Sequence, residues 1–391
     1  MASSFSRRRI LTTGAGAALG GLAATGTAHA AATASASNSR TADRSPGTSA
    51  QAGAEETRSL DELYRDAVAE GGRLVIYAGG DTATQQDFTV QAFRARFPDI
   101  DLTMVVDYSK YHDVRVDNQL ATGTLVPDVV QLQTLQDFTR WKSQGRLLHY
   151  RPAGFSKLYK DFRDPQGAWT AVQVIAFSYM YGVDAVAGNA PKSPRELVDP
   201  RWKDAIASSY PHDDDAVLYL FSLYQEAYGW DWIAEFAAQQ PQFNRGSHTP
   251  GVAVNAKRKA IGVGGSGTLT APPTAATRFA VADGHPFIAW GQRAAILRKA
   301  ANPTAGKLYL NWALSTERQQ GSFNGWSVRT DVTPAGGLKP VWTYRNAHLD
   351  GFPRFMEDRA QVERWKQTFA LYFGEVKGDP TPGVLGLHPG R

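Results

Sequence analysis

The sequence predicts an α/β protein of two lobes joined by a hinge of two crossing strands. Three observations carry this prediction. Residues 60–143 alternate short apolar strands with amphipathic helices, the pattern of a parallel sheet covered on both faces. A second complete α/β unit occupies residues 193–267. Two long extended segments, residues 169–182 and 286–297, flank that unit and carry the chain out to it and back. A chain of 391 residues is long enough for two lobes, each with its own core.

In the first unit, residues 60–70 have apolar positions at helical spacing and stop at Gly71-Gly72. Residues 73–78 read as a buried strand opening into Gly79-Gly80-Asp81-Thr82. Residues 85–97 read as a helix with Phe88, Ala92, Phe93 and Phe97 inward, ended by Pro98. A strand at 102–106, a helix at 114–122, a strand at 127–132 and a helix at 135–143 complete the unit. The second unit reads as a helix at 193–198, a strand at 205–209, helices at 216–228 and 230–239, and a strand entering Gly262-Val263-Gly264-Gly265-Ser266-Gly267. After the return segment, Pro303 opens a helix with Ala305, Leu308, Tyr309, Trp312 and Ala313 on one side, and Ser315 starts another.

Composition excludes several functions. There is no cysteine, hence no disulfide, no Cys-ligated zinc or iron–sulfur cluster, no catalytic thiol and no lipid anchor made on cysteine. The formal charge of +5 owes three units to Arg7, Arg8 and Arg9, leaving about +2 for the rest, too little to suggest nucleic acid or an anionic membrane. Those arginines open a charged segment, followed by a small-residue stretch at 12–27 and an Ala28-His29-Ala30 cleavage signal. Ser6-Arg7-Arg8-Arg9-Ile10-Leu11 resembles the twin-arginine export signal, which implies the twin-arginine export machinery as a partner and a mature protein outside the cytoplasmic membrane, periplasmic or extracellular. Residues 31–58 are mostly small and polar, and read as a disordered linker.

The ordered run of Gly72-Arg73-Leu74-Val75-Ile76-Tyr77, Pro127-Asp128-Val129-Val130, the extended 174–182 segment, Arg201-Trp202-Lys203-Asp204-Ala205-Ile206, Asn302-Pro303 through Ser315, and Asn324-Gly325-Trp326-Ser327-Val328-Arg329 resembles the extracellular solute-binding proteins of ABC importers. The branch it resembles is the type II periplasmic-binding-protein fold of the ferric-ion and polyamine binders. The resemblance implies lobe 1 at 59–173 and 289–391 and lobe 2 at 174–288. It also implies hinge closure around a small polar solute, a membrane permease as partner, and a monomer.

In such a sheet, ligands gather beyond the carboxyl ends of the strands, which nominates Asp81, Thr82, Asp107, Tyr108 and Gln133. On the hinge segments Tyr179, Tyr181 and Trp290 could stack on a ligand. Asp213 and Asp214, where a strand hands over to a long helix, either cap that helix or meet a ligand; as ligands they would favour a cation or a polyol over phosphate. The ferric branch uses an adjacent tyrosine pair, and the position implied for it holds Gly265 and Ser266. No cofactor or resident metal is expected. Iron carriage on the same fold is the alternative, and a carbohydrate-active enzyme a more distant one. No Gly-x-Ser-x-Gly, His-Glu-x-x-His or kinase pattern occurs, and no spacing pairs Asp81, Asp107 and Asp213 for glycoside chemistry, so no enzyme is expected.

Overall fold

The computed structural model describes residues 53–322, 324–379 and 383–391, so the export signal and most of the linker lie outside the described residues. Helix α1 (Leu60–Glu70) starts with a reciprocal capping box between Ser59 and Glu62 and stops at Gly71, whose φ of 138° only glycine adopts readily. Strand β1 (Arg73–Gly79), α2 (Asp87–Arg96), β2 (Asp101–Asp107), α3 (Ser109–Thr122), β3 (Val129–Leu132) and α4 (Leu135–Ser143) follow in the predicted alternation. The 13-residue strand β4 (Thr170–Gly182) then leaves this unit.

Beyond β4 come α5 (Val183–Val186), β5 (Ile206–Ser209), α6 (Asp215–Ala238), β6 (Gln242–Asn244), α7 (Thr249–Asn255), β7 (Ile261–Ser266) and β8 (Thr277–Ala280). The helix expected at 193–198 is a 3-10 turn, Pro194–Val198, because Pro194 and the following Asp199-Pro200 leave no room for α-helical propagation. The two helices expected at 216–228 and 230–239 meet in α6 at Gly229, whose φ 86° and ψ 173° break the helix. Strand β9 (Ile288–Ile296) returns, followed by α8 (Pro303–Ala313), α9 (Thr316–Gln320), α10 (Gly351–Glu357) and α11 (Arg359–Phe373).

All nine strands form one curled sheet, ordered β2-β1-β3-β9-β4-β7-β5-β6, with β8 beside β4. The triplets β2-β1-β3 and β7-β5-β6 are each parallel. The central pair β9 and β4 is antiparallel, from Thr170 opposite Ala294 to Phe177 opposite Ile288. These are the two crossing strands. Gly291 sits where a Cβ would meet that of Ala171 at 2.5 Å, so the pair closes only on a glycine.

Apolar side chains bury both faces of the first triplet: Phe93, Phe97, Leu308 and Trp326 on one side, Phe138, Trp141 and Leu147 on the other. Phe88 differs from its expected inward place: it is 72% exposed in the first turn of α2, whose buried residue is Phe93. A third cluster surrounds α6 and includes Phe352, Phe355, Val362 and Phe369 from α10 and α11. The sequence division places residues 289–391 with the first lobe, yet α11 packs on α6, with the Phe369 and Phe373 rings 6.0 and 5.7 Å from Phe221. The tail then returns to α3 and β1: Arg115 donates to the Gly386 and Val384 carbonyls, and the Tyr77 hydroxyl to Pro389.

Candidate solute-binding cleft

A cleft of about 670 Å³ opens where the carboxyl ends of β1, β2 and β3 face the loops of the α6 unit. Its geometry begins at Gly79. A Cβ there would overlap Gln133 Oε1 and Ser109 Oγ, and the bare backbone lets Ser109 donate to Gln133 across it. The next loop presents Asp81, whose Oδ2 accepts from Ser247 Oγ at 2.7 Å and from the His248 N–H at 3.0 Å. Tyr108, just before α3, lies beside it. Burial, followed by the Asp81 and Asp213 charges, pushes the Tyr108 phenol well above its ordinary pKa.

Across the cleft, Lys110 donates to the Asp213 carbonyl (2.9 Å) and to its carboxylate (2.7 Å), and Arg245 reaches the same carboxylate at 3.0 Å. Asp214 accepts from the N–H groups of Ala216 and Val217, so it caps α6 while lining the cleft. Burial, and then the facing Asp81, raise its carboxyl to about 7. Asp215 is held between Arg359 (2.8 Å) and Lys366 (3.0 Å) of α11; despite burial, these two cations keep it below its usual range. Asp113 also lines the cleft, and burial with the neighbouring Asp137 lifts it to about 8.

The floor is a glutamine cluster on three adjacent strands. Gln131 of β3 and Gln173 of β4 both donate to Gln292 Oε1 of β9 at 2.8 Å, and Tyr309 donates to Gln131 at 2.6 Å. Sequence reasoning did not single these out. The signal was present, since each interrupts an apolar run in mid-strand, where an amide needs a partner. Trp290 forms part of the wall, its ring 5.0 Å from Phe177 and 5.1 Å from Phe352. Ser266 also lines the cleft and accepts from Asn324 at 3.3 Å.

The structure thus brings Asp81, Tyr108, Gln133, Asp213, Asp214, Ser266 and Trp290 to one cleft. Four nominated residues lie elsewhere. Asp107 is fully buried, paired at 2.8 Å with Arg115, because its β2 position turns the carboxylate toward α3. Tyr179 is buried in the α6 cluster, with its hydroxyl on the Pro191 carbonyl at 3.0 Å. Tyr181, sharing its strand face, packs against the same cluster. Thr82 lies in the turn beyond Asp81 and does not line the cleft.

Residues 125–272 match the family of bacterial extracellular solute-binding proteins. About three quarters of the chain superposes on solved structures of binding proteins. A substrate-binding protein of an ABC transporter from Agrobacterium tumefaciens aligns with a TM-score of 0.64 and 15% identity, over 78% of this chain and 96% of that one. Iron-bound HitA from Pseudomonas aeruginosa gives 0.60 and 15%, over 76% and 99%. AfuA from Actinobacillus pleuropneumoniae, with fructose-6-phosphate bound, gives 0.59 and 18%, over 78% and 99%. The chain has the two-lobed periplasmic-binding-protein fold. No curated protein sequence matches it. In this binding-protein fold the cleft faces both parallel triplets, and β4 and β9 form its back wall and hinge. Among the described residues, no group of three His, Asp or Glu side chains is placed to hold a metal ion, and no helix is long and apolar enough to cross a membrane.

Proposed function

We propose that this protein is an extracellular solute-binding receptor that captures a small polar organic solute in the cleft and hands it to the membrane permease of an ABC importer. The observation that carries this is the cleft itself: about 670 Å³, lined by side chains from both parallel triplets and backed by the crossing strands, a volume suited to a molecule rather than a bare ion. Lobe 1 comprises residues 59–173 with 289–350 and the tail, lobe 2 comprises 174–288, α11 packs on α6 of lobe 2, and α10 lies between α4 of lobe 1 and α6. The receptor acts as a monomer and performs no chemistry on its solute. Residues 1–30 take it out by the twin-arginine route, so replacing Arg7 and Arg8 together by Lys abolishes export of a fused reporter. The deciding test is a thermal-shift screen of amines, sugars, sugar phosphates and small acids, followed by small-angle scattering. A true solute raises the melting temperature and lowers the radius of gyration; a ligand that stabilises with no compaction argues against hinge closure.

Ferric ion is the second reading, favoured by the likeness to iron-bound HitA. Tyr108 and Tyr309 are the phenols lining the cleft among the described residues, and Tyr309 is already engaged with Gln131. Iron held by Tyr108 would give a visible phenolate charge-transfer band on titration, lost in Tyr108→Phe. With Gly265 and Ser266 beside the cleft, we expect no such band.

A further inference from the structure

The acids of the cleft suggest from sequence a cationic or polyhydroxylated solute, but their surroundings point elsewhere. Asp213 already holds Lys110 and Arg245, and Asp215 holds Arg359 and Lys366, so each carboxylate is overmatched by two cations. Asp81 is engaged by Ser247 and His248. Of the basic side chains lining the cleft, Lys110, Arg359 and Lys366 therefore have acidic partners. Arg318 forms no ion pair among the described residues, and the only acid acting on it there is the exposed neighbour Glu317. Its guanidinium carbon lies 4.4 Å from the centre of the Trp312 ring and 5.6 Å from that of Phe88, both of which also line the cleft. Aromatic faces hold a guanidinium through its plane and leave its N–H edges free. They also account for Phe88, a large apolar ring left 72% exposed at the cleft.

We infer that the solute is a small organic oxyanion, carboxylate or phosphoryl, and that Arg318 is its anchor. The inference rests on the receptor reading above and narrows its substrate class. A planar guanidinium with two free N–H groups matches the paired oxygens of either anion. A partly buried guanidinium with no ion-pair partner gains charge-assisted hydrogen bonds when an anion arrives.

The experiment is isothermal titration of the full-length mature protein with fructose 6-phosphate, citrate and inorganic phosphate, beside fructose and spermidine as neutral and cationic controls. It is repeated with Arg318→Gln and Arg318→Lys. Because Arg318 makes no hydrogen bond or ion pair with its side chain among the described residues, both variants should unfold within a few degrees of the parent. At least one anion should bind, weakened tenfold or more in R318Q and less in R318K; response to fructose 6-phosphate or phosphate assigns a phosphoryl group, and response to citrate alone a carboxylate. Binding of spermidine or fructose that R318Q leaves unchanged overturns the inference and leaves the receptor standing. An anion bound equally well by R318Q overturns Arg318 as anchor. No response in any arm, with no small molecule released from natively purified protein, counts against both readings.

Discussion

At the scale of single residues, the cleft is a place where carboxyl groups are held in unusual states. Asp214 is partly buried at the cleft and faces Asp81, and desolvation followed by that charge pushes its carboxyl up to about 7 from 3.8. A raised folded-state value means that the folded chain binds the proton more tightly. Its contribution to stability is complete below about pH 4 and is lost as pH rises through about 7. Asp214→Asn retains a capping acceptor and removes the charge. It should match the parent at pH 4.5 and exceed it at pH 8 by on the order of 3 kcal/mol, measured by urea unfolding at the two pH values. An equal gap at both pH values would show that the carboxyl is not protonated by its surroundings. Gly79 gives a second test. Gly79→Ala drives a methyl into the Ser109–Gln133 hydrogen bond, whose side chains can swing aside, so stability should fall by only about 1 kcal/mol. Solute affinity should fall more, because Gln133 lines the cleft and would be displaced there. The cap at Asp214 was one of two readings open in sequence; the side chain accepts from Ala216 and Val217 and also lines the cleft. The Asp107–Arg115 pair was not visible, because residues eight apart meet only once α3 has packed against β2.

Among the elements, those with strong local signals were legible. Gly71-Gly72 ends α1, and apolar runs bounded by turns mark β1, β3 and β4. Gly229 separated two helices in sequence and breaks α6 in the structure, at a φ and ψ that residues with a Cβ scarcely reach. Gly229→Ala should therefore lower stability by about 1–3 kcal/mol in a denaturant titration, although an ordinary mid-helix Gly→Ala would raise it. What sequence did not show was the partner of each helix face. The apolar stripe of α11 fits either lobe; rings on α6 decide it, with Trp230 stacked on Tyr372 at 5.4 Å and Phe221 facing Phe369 and Phe373. The glutamine floor was hidden for the same reason. Gln131, Gln173 and Gln292 become a network only after three strands distant in sequence are laid side by side.

For the whole molecule, the described state has its lobes drawn together by polar contacts across the cleft: Lys110 on Asp213, and Ser247 and His248 on Asp81. The first is partly solvated and worth under about 1 kcal/mol, enough to bias an opening equilibrium without affecting the fold. Lys110→Met should leave the melting temperature within about two degrees of the parent while raising the ligand-free radius of gyration in small-angle scattering. An unchanged radius would place the opening equilibrium under other contacts.

The hinge is not a pair of loops but the middle of an unbroken sheet, and deuterium uptake should register this in an inverted way. Amides of β4 and β9 are bonded to each other and flanked on both sides by further strands, so they exchange only when the entire ladder separates. The pivot should therefore be among the slowest-exchanging parts of the chain, and its uptake should not change when a solute closes the cleft. The rim is different: the backbone around Asp81, Ser247 and His248 is tied across the cleft only while the lobes meet, so its protection should rise on closure. Slow amides in this molecule mark where it turns, and fast ones mark how far.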